Sequence, residues 1–147
     1  MVTSIFRVLF GLIAANLVAG VVQVSFVITP TELVTLGWEA LIERLQAAGI
    51  LALFAASQSA VFSAPLALIA IALAEWQRIR SIFFYVALGL AVAGAGFLAQ
   101  YMGEGGSTTI VNTYALTAYA TTGFMAGLVY WWVAGRGAGG RRVAKMP

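Results

Sequence analysis

"AGILALFAASQSAVFSAPLALIAIALA", residues 48–74, contains no charged side chain. A helix of about 20 apolar residues spans the roughly 30 Å hydrocarbon core of a bilayer. The stretch is long enough to do so, and reading it as a membrane-crossing helix decides the fold class. Its middle raises a question of its own. Ser57, Gln58, Ser59 and Ser63 sit among alanines, leucines and phenylalanines, with Pro65 close behind. An amide in hydrocarbon needs a hydrogen-bond partner, because leaving it unpaired is costly.

The rest of the chain supports the same medium. Of its 147 residues, 62% are hydrophobic and 9% charged, where a soluble domain carries about a quarter charged. A soluble fold of this size leaves much of its surface in water and has nowhere to hide so much apolar area. Three further apolar stretches, approximately 6–28, 81–102 and 110–134, have no charge near their middles. In lipid each backbone must satisfy its own polar groups, which predicts helix throughout. The expected fold is an all-α integral membrane protein. It is a single domain built as a four-transmembrane-helix antiparallel bundle, with a retained first helix rather than a cleaved signal peptide. The tail, residues 135–147, is glycine-rich and basic and reads as flexible.

The first connection carries more than a linker. Thr29, Pro30 and Glu32 fit a capping box with proline at the first helical position. Val34, Trp38, Leu41, Ile42 and Leu45 then recur on one helical face, opposite Glu32, Glu39, Glu43 and Gln46. This predicts a short amphipathic helix, residues 30–46, in the first extracytoplasmic loop.

Charge gives an orientation. With four alternating spans, Arg7, Arg78, Arg80, Arg136, Arg141, Arg142 and Lys145 fall on one side and only Arg44 on the other. Basic residues concentrate in cytoplasmic loops, so both termini are expected in the cytoplasm, and the setting is read as a bacterial inner membrane. Arg78, Arg80, Arg141 and Arg142 are the candidates for contact with lipid headgroups. The same distribution argues against nucleic acid as a partner, since the charge marks topology and not a soluble basic face.

The reactive inventory is thin. There is no Cys, His or Asp, which excludes thiolate and imidazole chemistry and the usual zinc sites. No metal, cofactor or catalytic constellation is expected. A proton-coupled exchanger holds a carboxylate inside a span, and none lies there. Glu75 is followed at i+3 by Arg78, a spacing that predicts a local ion pair.

What remains is polar and small. Asn16, Gln58, Ser59, Thr121 and Thr122 fall at similar depths of their spans and form a candidate polar cluster. Three roles are open to it: interhelical glue, a small ligand site, or a water path. Gly89 and Ala93 in the third span, and Gly123 and Gly127 in a G-x-x-x-G pattern in the fourth, offer faces where backbones approach closely. Expected partners are membrane lipids and other membrane subunits or a second copy. The functional expectation is a non-catalytic accessory or assembly subunit of a larger membrane complex. The alternative is a small transporter or ligand-binding membrane protein that uses the polar cluster. A wide cavity along the cluster favours the alternative, and a closed core favours the first. The orientation is testable with single cysteines. Ser107→Cys is expected to react with an impermeant thiol reagent on intact cells and Gln77→Cys only after permeabilisation. Labelling at position 77 alone would reverse the topology.

Overall fold

The computed structural model describes residues 2–27, 37–103 and 113–139. Four helices account for most of them: α1 (Val2–Ser25), α2 (Trp38–Gln77), α3 (Ile82–Gly103) and α4 (Thr113–Val133), followed by a 3-10 turn, Gly135–Gly137. α1, α2 and α3 are long and apolar enough to cross a membrane. α4 also lacks charge, but its threonines, tyrosines and tryptophans lower its apolarity, and it is not among them.

Large apolar side chains cover much of the outer surface, while much of the interior is small, with Ile71, Tyr85, Phe97 and Tyr130 as large buried exceptions. Phe6, Phe10, Phe54, Phe62 and Phe83 are between 65% and 81% exposed, while Ala15, Ala19, Ala56 and Ala74 are buried. In water this arrangement would forfeit most of the available hydrophobic stabilisation. In lipid, where apolar side chains gain nothing by turning inward, small residues go inside because they let helices approach.

The helices form a partly closed ring in the order α2, α1, α4, α3. The contacts run antiparallel. Arg7, Asn16 and Gln23 of α1 bond to Glu75, Ser63 and Ser59 of α2 in turn. Gly11 of α1 lies against Tyr130 and Ala134, while Phe26, just past its other end, packs edge-on against Tyr114 of α4. α4 meets α3 at Gly89, Ala93, Gly123 and Gly127. A methyl added at Gly123 would come within 2.5 Å of the Gly89 carbonyl and 2.7 Å of the Ala93 Cβ. α2 and α3 are joined by residues 78–81 alone, yet they touch least of the four neighbouring pairs.

Of the segment 30–46 expected as an amphipathic helix, residues 30–36 lie outside the described residues. Its described part belongs to α2, which runs unbroken through Pro65 for 40 residues, or about 60 Å at 1.5 Å per residue. The reason is local: from Trp38 to Gln77 only Gly49 and Pro65 disfavour helix, and neither is followed by a second breaker. The capping-box residues Thr29, Pro30 and Glu32 lie outside the described residues, as do Arg141 and Arg142.

Because Gly123 sits against backbone, Gly123→Ala is expected to destabilise the bundle by about 1–3 kcal/mol, the usual effect of overpacking. Gly94, on the facing helix α3 but with nothing within 4 Å of its would-be Cβ, is the control. Gly94→Ala should be neutral or stabilising by up to about 1 kcal/mol. Denaturant titration in micelles reads both, and equal effects would show that the α3–α4 contact is looser than described.

Candidate functional site

Where α2 and α3 part, the ring leaves a half-open cleft of about 520 Å³. α1 and α4 form its back and α2 and α3 its sides. Nothing that lines it is charged, and most of it is apolar. Its floor is the buried core of the bundle's basic end. Ile71, Tyr85 and Tyr130 pack there with Ala15, Ala74 and Ala134. Tyr85 is seated by Gly135, whose added methyl would stand 2.7 Å from the ring, and its hydroxyl donates to the Ile79 carbonyl at 3.0 Å.

Below that floor a hydrogen-bonded plug closes the end. Arg7 donates through Nη2 to Glu75 Oε1 at 2.5 Å, and through Nη1 to the Gly137 carbonyl. Glu75 accepts the Gly139 backbone N–H on its other oxygen at 2.7 Å. Arg80 Nε donates to the Ala138 carbonyl at 3.0 Å, and Trp131 Nε1 to the Arg80 carbonyl at 2.9 Å. Residues 137–139 are thus held to α1, α2 and the α2–α3 turn at once. The ion pair expected between Glu75 and Arg78 is replaced by Glu75 with Arg7. Arg78 instead ends α2 in the left-handed conformation, φ 56°, which turns the chain toward α3 and takes its side chain off the i+3 position of the helix. Of the headgroup candidates, Arg80 is therefore spent at least in part on the protein itself.

The polar residues form two tiers along the cleft. In the first, Ser63 donates to Asn16 Oδ1 at 3.2 Å, and Asn16 Nδ2 donates back to the Leu12 carbonyl at 2.9 Å. Thr122 lies on the same cavity wall, 4% exposed, with its hydroxyl unpartnered among the described residues. In the second tier Gln23 Nε2 donates to Ser59 Oγ at 3.1 Å, and the Tyr119 hydroxyl donates to Gln100 Oε1. At about 1.5 Å per residue, the first tier stands about 14–18 Å along the helices from Arg7 and Glu75, and the second about 24 Å. Gln58 belongs to the second tier. It lines the cleft, is exposed to it, and makes no hydrogen bond among the described residues. It is Ser63 that reaches Asn16; the Arg7–Glu75 register sets Gln58 more than a turn further on. Thr121 is half-buried and not part of the lining. Ser57 turns away and bonds its own helix at the Leu53 carbonyl, 2.8 Å.

The four polar groups of "SQSAVFS", residues 57–63, therefore have three fates. Ser57 satisfies its own backbone, Ser59 and Ser63 join helices, and Gln58 presents a free amide to the cleft. Sequence reading missed Gln23, although it lies at i+7 from Asn16 and so on the same helical face. It also missed Arg7, which it had counted only as a topological charge. Comparison with known protein families, with curated proteins and with solved structures finds no match for this chain. Among the described residues no group of His, Cys, Asp or Glu is arranged to hold a metal ion.

Arg7 and Glu75 are each about one quarter exposed. Removing either partner leaves the other charge partly desolvated. Glu75→Gln is expected to lower the unfolding free energy by about 1–3 kcal/mol and to speed amide exchange at Gly139. Unchanged exchange there would show that the plug does not depend on the carboxylate.

Proposed function

We propose that this chain is a non-catalytic membrane protein that binds a membrane-soluble, amphipathic small molecule in the cleft between α2 and α3. The observation that carries the reading is the cleft itself. Its volume of about 520 Å³ falls within the roughly 300–1,000 Å³ of small-molecule sites. The cleft opens sideways, so a ligand dissolved in the bilayer enters without crossing water. In this reading all four helices span the membrane, α4 being shielded from lipid on its inner face by α1 and α3. Both termini are cytoplasmic, on the basic side, in a bacterial inner membrane. The plug of residues 137–139 then shuts the cytoplasmic end, and the two polar tiers face the membrane centre and the outer leaflet.

A second reading, an accessory subunit of a larger membrane complex, draws on a different feature. Residues 38–47 of α2 extend past the end of α1, with Trp38 76%, Ile42 41% and Leu45 54% exposed. These three share a helical face, which a partner subunit or a second copy would cover. The two readings differ in what they ask of the cleft.

A cleft-filling substitution separates them. Ala95 is half-buried on the cleft wall, and Ala95→Trp is expected to abolish photocrosslinking of a diazirine-bearing long-chain alcohol to cleft peptides while leaving thermal stability within about 1 kcal/mol. Crosslinking that persists undiminished would place the ligand elsewhere and leave the accessory reading.

A further inference from the structure

We infer that the ligand is uncharged where it lies in the cleft: a long apolar chain bearing one neutral hydrogen-bonding head, held by the amide of Gln58. This rests on the binding reading above and deepens it to a chemical class.

Two observations carry it. The first is electrostatic. The lining contains no Asp, Glu, Lys or Arg. The nearest ion pair, Arg7 with Glu75, lies beneath the aromatic floor and bonds internally and to the tail, with Arg7 Nε unpartnered among the described residues. A sulfate, carboxylate or ammonium drawn into this cleft would lose its water without gaining a counterion, a strongly unfavourable transfer. A neutral head loses far less.

The second observation is the pattern of satisfied and unsatisfied polar groups. Asn16 and Ser63 bond to each other, as do Gln23 and Ser59. These pairs have their partners without a ligand. Gln58 does not: its amide is exposed to the cleft at the level of Gln23 and Ser59 and is unpaired among the described residues. A primary amide both donates and accepts, so it matches a hydroxyl or a carbonyl equally. Toward the floor, past the paired Asn16 and Ser63 and the buried Thr122, the lining turns apolar through Leu12, Leu66, Ala67, Leu88 and Ile71. The head therefore sits at the Gln58 tier and the chain points toward Tyr85 and Tyr130. Gln100 and Tyr119, bonded to one another across the α3–α4 side of the same tier, bound the head on its other flank.

The test uses the full chain in phosphatidylcholine nanodiscs. Three probes share one diazirine-bearing hexadecyl chain and differ in the head: hexadecanol, hexadecyl sulfate and hexadecyltrimethylammonium. The alcohol is expected to label cleft peptides of α2 and α3 at least about fivefold more than either charged probe. Gln58→Leu should reduce its labelling about fivefold, the value of one hydrogen bond, with helix content unchanged. Equal labelling by all three probes would overturn the neutral-head inference while leaving the cleft as a binding site. Labelling by the alcohol that Gln58→Leu leaves intact would overturn the role of Gln58. Absence of labelling by every probe would overturn the binding reading as well. The ranking of the three probes on the unsubstituted chain does not depend on any variant folding.

Discussion

Close backbone approach holds this protein together. Lipid tails are as apolar as leucine, so burying large side chains between helices offers little. What remains is packing of backbone on backbone, which requires the absence of a side chain at the point of contact. Gly20 does this for α1 against Ala52 of α2, and Gly89, Gly123 and Gly127 for the α3–α4 pair. The contacts are concentrated on three seams, α1–α2, α1–α4 and α3–α4. The fourth seam has no comparable glycine pair, and it is the one that opens.

Helices two and three were legible from the sequence because hydrophobic length is a coarse quantity that tolerates error in every residue. Residues 81–102 were read as a span, and the helix runs over Ile82–Gly103. The boundary between the amphipathic segment and the second span was not legible. Its two halves differ in polarity but not in backbone preference, and nothing between Gln46 and Ile50 stops a helix. Amphipathic pattern reports which medium a face meets. It does not report where a helix ends.

Depth within a span was legible only to about a turn. Placing Gln58 beside Asn16 relied on centring each apolar stretch separately. The register is set instead by discrete contacts, Arg7 with Glu75 at one end and Gln23 with Ser59 at the other. Glu75 is a little over three turns along α2 from Ser63, the partner of Asn16, and nothing in a one-dimensional pattern says that Arg7 bridges to it. Local i+3 spacing pointed to Arg78, but local spacing counts only neighbours on the same helix, and the left-handed turn at Arg78 removes it from that helix.

The length of α2 links the membrane interior to whatever lies beyond it. From Glu75 to Trp38 the helix measures about 55 Å at 1.5 Å per residue, and its inner half forms one wall of the cleft. Swinging that wall outward by about 10° about the Arg7–Glu75 pivot would carry the Trp38 end through about 10 Å. The same swing would move residue 62, about 20 Å from the pivot, by about 3 Å. α2 thus magnifies a change of a few ångströms at the cleft about threefold at its Trp38 end.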